Sequence, residues 1–126
     1  MIDHVSISVH DLDRAAAFYD RVLAPLGLTR LVTRERSVGF GKRYPEFWLN
    51  RREAYAAPAG DPGAHVCLRA SDEAAVRAFH AAAISHGGSD FGLPGPRQAA
   101  MTTYFGAFIL DADRNKIEAV TFPAAT

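Results

Sequence analysis

Two short stretches of this chain alternate apolar and polar residues with a period of two, and each leads into a stretch with a period near 3.6. Val5, Ile7 and Val9 alternate with His4, Ser6 and Ser8, the pattern of a strand with one buried face. Val66 and Leu68 alternate with His65, Cys67 and Arg69 in the same way. After the first stretch, Leu12, Ala15, Tyr19, Val22, Leu23 and Leu26 recur at helical spacing, and Asp11 is placed to accept the free amide hydrogens of the first turn. Pro25 weakens the last turn, and Gly27 stands where a left-handed residue closes a helix. A second helix is predicted from Ser71 and Asp72 through Val76, Phe79, Ala83 and Ile84 to Gly87 and Gly88. Short strands should follow each helix, at 28–33, 38–42 and 47–50 in the first half. In the second half they fall in a weak segment near Phe91, then at 104–110 and 116–122.

The chain is written twice. Shifted by 61 positions, His4 falls on His65, Asp11 on Asp72, Ala17 on Ala78, Phe18 on Phe79 and Gly27 on Gly88. These are a strand start, a helix cap, apolar helix positions and a helix stop, all at one register. The pattern predicts an α+β domain of two tandem βαβββ modules, about 1–53 and about 63–122. A linker rich in Ala, Pro and Gly joins them at about 54–62. Eight strands would form an open mixed sheet cup with the helices on its outer face. The face opposite the helices carries His4, Ser6, Ser8, His65, Cys67 and Arg69, too polar for a dry core and suited to a wet concavity that binds ligand.

Composition narrows the function classes. At 126 residues the chain holds one domain, and 48% hydrophobic with 22% charged residues is ordinary globular usage. Fourteen basic residues balance fourteen acidic ones, so no net field draws the chain to nucleic acid or to a membrane. The N-terminus has no basic region followed by an apolar stretch, and a cytoplasmic setting is expected. The single cysteine, Cys67, excludes an internal disulfide and a cysteine-built zinc site.

Of the five histidines, His10, His80 and His86 read as solvated or capping residues. His4 and His65 differ because the repeat makes them equivalent, and both belong to the polar face. In the last strand Ile117 and Ala119 suit the buried side, which turns Glu118 toward the concavity. Two imidazoles and a carboxylate on a rigid sheet are a facial triad suited to Fe(II), Mn(II) or Zn(II), with positions open to substrate. An equal reading has the two histidines hydrogen-bonding within a polar groove while Glu118 faces solvent.

The stretches Ile2–Asp11, Ala17–Leu28, Gly63–Val66 and Phe108–Val120, taken in order, resemble the vicinal-oxygen-chelate superfamily. Its members include glyoxalase I, extradiol dioxygenases, fosfomycin-resistance enzymes and bleomycin-binding proteins. The resemblance implies metal ligands at His4, His65 and Glu118 on the first, fifth and eighth strands, a divalent ion (Fe, Mn, Zn or Ni), a small-molecule substrate and a homodimer. Two departures matter. On the fourth strand, where glyoxalase-like members carry a further ligand that can act as base, this chain has Trp48, with Glu46 as the weaker alternative. Before the seventh strand a His-rich run is replaced by Arg97 to Tyr104. Glu118 and Tyr104 are therefore the candidate catalytic groups. Trp48, Arg97, Ser6, Cys67 and Arg69 are the candidate substrate contacts.

Other signals lead nowhere. The run from Asp111 imitates a calcium loop, but Lys116 and Phe122 stand where glycine and an acid are required. The cluster Arg34, Arg36, Lys42, Arg43, Arg51 and Arg52 is diluted by Glu35, Glu46 and Glu53 and reads as solvated surface. Two function classes remain: a metal-dependent lyase, isomerase or dioxygenase acting on vicinal oxygens, and a non-catalytic protein that sequesters a flat apolar compound.

Overall fold

Both helices begin where the repeat places their caps. A computed structural model describes residues 1–123. In it β1 (Val5–Val9) leads into α1 (Leu12–Leu23), and the Asp11 carboxylate accepts from the Arg14 amide at 3.1 Å. In the second module β5 (Val66–Arg69) leads into α2 (Glu73–Ser85), and Asp72 accepts from the Ala75 amide at 2.8 Å. Pro25 does end α1, since the chain tightens into a single 3₁₀ turn, Ala24–Leu26, closed by Gly27 at φ 78°. The repeat equates Gly27 with Gly88, but the two glycines are needed for different reasons. In the second module the left-handed residue is Gly87, at φ 99°. At Gly88 a Cβ would lie 3.0 Å from Phe18 of the other module and from the carbonyls of Ala83 and Leu110.

The remaining strands are β2 (Thr29–Thr33), β3 (Ser37–Gly41), β4 (Pro45–Arg51), β6 (Ser89–Gln98), β7 (Thr103–Leu110) and β8 (Lys116–Thr121). They form two four-stranded sheets, ordered β1-β4-β3-β2 and β5-β8-β7-β6, rather than one hydrogen-bonded sheet of eight. In each the first strand is an edge and runs parallel to the last, while the other pairs are antiparallel. The segment weakly marked near Phe91 is the ten-residue β6. Its prolines, Pro94 and Pro96, and its shifts of register disguise it in the sequence. An edge strand with a single neighbour tolerates both.

One core serves both modules. Val9, Phe47 and Leu49 of the first sheet belong to the same buried cluster as Phe79, Ile109 and Ile117 of the second half. Polar bonds stitch the seam. The buried Tyr19 hydroxyl on α1 donates to Asp111 Oδ2 at 2.6 Å in the β7–β8 turn, and Asn115 Nδ2 donates to the Ser8 carbonyl at 2.9 Å. Asp111 also accepts backbone bonds from Asp113 and Asn115, so the carboxylate taken from water is fully partnered. The run that imitates a calcium loop is this turn.

Candidate functional site

The faces opposite the helices hold the candidate chemistry. Because β5 pairs with β8 in parallel, Cys67 stands beside Glu118, and the antiparallel β7 sets Phe108 on the other side of Glu118. Glu118 is 4% exposed. Its Oε1 lies 3.2 Å from His65 Nε2, and its Oε2 accepts from the Tyr104 hydroxyl at 3.0 Å. His65 Nδ1 faces the Gly63 carbonyl at 3.3 Å, and the imidazole meets the Phe108 ring edge-on at 5.4 Å between centroids. Residues 53 positions apart in the chain are thus joined, His65 just before β5 and Glu118 on the adjacent β8.

The carboxylate acts together with burial on its neighbours. Burial and the Glu118 charge push the Cys67 thiol up to about 12, so it is neutral at ordinary pH and a poor nucleophile. The Tyr104 phenol is raised by its own burial and by the bond to Glu118. Arg69 also lies on this face, with its guanidinium 4.6 Å from the centre of the Phe122 ring, which packs in turn against Tyr104 at 5.8 Å. A cleft of about 490 Å³ opens beside Tyr104, lined by Phe105, Phe122, Thr121 and the start of α2.

The first sheet repeats the register with other chemistry. Ser6 pairs with Trp48 as Cys67 pairs with Glu118, so the indole occupies the place of the carboxylate. Seventy residues separate Trp48 from Glu118 against 61 in the repeat, most of the surplus lying in the long β6. The Trp48 ring lies across Gly39, where a Cβ would come within 3.0 Å of it, and Arg34 stacks over the ring at 5.3 Å. Glu46, two positions before Trp48 on β4, is exposed and falls at a shift of register, where neither β1 nor β3 pairs with it.

The second sheet therefore brings His65, Glu118, Tyr104 and Cys67 together, with Arg69 on the same face. Ser6 reaches them only in part, since it lines with His65 a hollow of about 240 Å³ that also holds Ile7, Tyr55 and Asn115. Arg97 stands across from Tyr104 in the pairing of β6 with β7. Its guanidinium donates to the carbonyls of Leu93 at 2.6 Å and Gly95 at 3.2 Å and so braces the irregular β6 itself. His4 stays apart. Its Nδ1 bonds Asp3 at 2.7 Å, Tyr44 donates to the same carboxylate at 3.1 Å, and its side chain is 52% exposed. Among the described residues no three of His, Cys, Asp and Glu form a group able to hold a metal ion.

Two of the three expected ligands nevertheless have the right form. Ligands of one ion with bonds of roughly 2.0–2.2 Å stand about 3 Å apart at right angles, close to the spacing of His65 Nε2 and Glu118 Oε1. Each histidine turns Nδ1 to an oxygen, a carboxylate for His4 and a carbonyl for His65, which orients a ligating ring and leaves Nε2 for the ion. A complete shell does not form among the described residues of one chain. Phe108, Phe122, Arg34 and Asp3 are parts of these faces that the sequence reading missed. Period-two spacing from Tyr104 could have found Phe108; nothing local marks the other three.

Comparison with known proteins agrees with this fold. The family model described as Glyoxalase/Bleomycin resistance protein/Dioxygenase superfamily matches residues 1–119. The chain belongs to that superfamily. It resembles a glyoxalase/bleomycin resistance protein from Albidiferax ferrireducens T118 at 31% identity and TM-score 0.81, over 94% of this chain and 96% of the other. A family enzyme from Burkholderia phytofirmans PsJN matches in fold at 19% identity and TM-score 0.73, over 94% and 96% of the two chains. The fosfomycin resistance protein FosX from Mesorhizobium loti matches in fold at 16% identity and TM-score 0.68, over 98% and 92%. A search of curated proteins finds no match. No helix among the described residues is long and apolar enough to cross a membrane.

Proposed function

We propose that this superfamily member is an enzyme acting on a small molecule with vicinal oxygens at the His65–Glu118–Tyr104 cluster. The observation that carries the reading is the buried carboxylate on β8, held between the imidazole that leads into β5 and the phenol on β7. A divalent ion (Fe, Mn, Zn or Ni) would be held by His65 and Glu118 of one chain and His4 of a second copy in a homodimer. Bound there, it would supply Lewis-acid polarisation of substrate oxygens. The exposure of His4, with its ring already oriented by Asp3, is what a ligand offered to another chain requires. Tyr104 positions the Glu118 carboxylate and holds a proton 3.0 Å from Oε2, where a substrate oxygen can exchange for it. Phe108, Phe122 and Arg69 wall the face and exclude water from one side of the ligand. The neutral charge balance and unpaired Cys67 fit work in the cytoplasm.

The test is metal content and mixing. Protein purified without chelator should hold near-stoichiometric metal, lost in both His4→Ala and Glu118→Ala. Co-refolding the two variants should restore a site, because one of the two sites of the mixed dimer then has all three donors. Metal retained in His4→Ala would remove the shared site. A second reading, a binder without catalysis, is favoured by Trp48, whose indole takes the place of an acid and offers a flat stacking surface. It predicts metal-free protein of unchanged stability that binds planar aromatic compounds and loses them on Trp48→Ala.

A further inference from the structure

We infer that His10 is a proton-operated clasp that fastens the inter-module linker to the β7–β8 turn and sets Tyr55 at the rim of the hollow leading to His65. His10 lies just past β1, outside the cluster described above. Its Nδ1 is 2.6 Å from Asp113 Oδ1, and its backbone amide donates to the same oxygen at 3.2 Å. Its Nε2 meets the carbonyl oxygen of Tyr55. The two partners are 103 and 45 residues away in the chain, so one ring joins three segments. Neither a carboxylate nor a peptide carbonyl can donate a hydrogen. A neutral imidazole carries one N–H, and the ring makes both bonds only as imidazolium.

The surroundings favour that form. Asp11, Asp13 and Arg14 face His10 from the start of α1, and Asp111, Asp113 and Ala112 from the β7–β8 turn. His86 faces it from the end of α2, and Glu35, Arg51 and Glu53 from the edge of the first sheet. Tyr55 packs its ring 5.6 Å from the imidazole, and Tyr19 lies behind Asp111. Acids outnumber bases, and Arg51 is already paired with Glu53. The bond to Asp113 first, and the Tyr55 carbonyl second, raise the His10 pKa above its ordinary 6.5. The clasp therefore contributes fully below pH 6.5 and is lost as pH rises through the higher folded value.

Release would be local. Arg114 donates to the Pro58 carbonyl at 2.8 Å, and Lys116 lies 3.3 Å from Asp61, so the later linker stays attached. Tyr55 is the segment set free, and it lines the hollow shared by Ser6 and His65. Raising pH thus loosens one wall of the approach to His65 while the fold persists.

Histidine and tyrosine side-chain NMR across pH tests this on the intact protein. The His10 ring should titrate above 6.5, with both nitrogens protonated at the acid end, and the Tyr55 ring signals should move with the same midpoint. Asp113→Asn, which keeps an acceptor but removes the charge, should lower that midpoint. His10→Gln should make the Tyr55 signals independent of pH, and His86→Asn in the same cavity should leave the midpoint unchanged. A His10 midpoint at or below 6.5, Tyr55 signals that ignore it, or no response to Asp113→Asn would each overturn the clasp.

Discussion

The open faces of the two sheets share a register and differ in what they carry. On the second, Glu118 sits between Cys67 and Phe108, bonded to His65 and Tyr104. On the first, Trp48 sits between Ser6 and Gly39 and under Arg34. The buried faces diverged far less: Phe18 and Phe79 fill equivalent places, and both modules cap their helix with aspartate. Packing constrains a core position to roughly one shape, whereas a wet face can trade a carboxylate for an indole without disturbing the sheet beneath. One module is thus free to hold reactive groups while the other keeps a stacking surface.

That contrast can be broken. Its largest consequence concerns Cys67, whose thiol at about 12 against an ordinary 9.0 leaves on the order of a thousandfold less thiolate at pH 8. Alkylation by iodoacetamide, followed by mass spectrometry, should be slower than for a free thiol, by less than the thiolate deficit because a more basic thiolate is the stronger nucleophile. Glu118→Gln should recover only part of the rate, because burial is the larger cause. Full recovery would mean that the charge alone sets the thiol.

Glycine substitutions come next and separate the faces. Gly106→Ala would place a Cβ 2.9 Å from the Tyr104 ring, and Gly39→Ala one 3.0 Å from the Trp48 ring. Each should cost about 1–3 kcal/mol in urea unfolding. Only Gly106→Ala should lift Tyr104 off Glu118 and change Cys67 labelling. Tyr19→Phe probes what both modules share. It removes one of the bonds to the buried Asp111 and should cost about 1–3 kcal/mol. An effect within error would show that the seam is held by packing alone. The smallest effect is expected at Arg34→Ala, about 0.5–1 kcal/mol from the lost stack on Trp48, seen in indole fluorescence without any change at the second sheet.

Much of the fold was legible. Strand and helix positions follow from period-two and helical spacing, and the aspartate caps lie within three residues of the amides they hold. β6 was nearly invisible because prolines and bulges erase its alternation. Within the candidate site, Glu118 and His65 were readable from alternation and repeat. Arg97 does stand across from Tyr104, but the use of its guanidinium to brace backbone carbonyls of β6 has no mark in the sequence. His10 is exposed, as its sequence setting suggests, but its two bonds were hidden because both partners lie far off in the chain.

By itself the sequence determined the elements, their order, their duplication and the side of each strand that is wet. Those properties depend on neighbours a few positions apart, where spacing alone sets direction. Tertiary structure decided which wet residues meet. Strand pairing put Glu118 beside Cys67 and within reach of His65, placed Trp48 at the matching point of the other sheet, and left His4 exposed beside Asp3. Contacts between distant segments depend on how sheets pair and pack, and no local pattern encodes that.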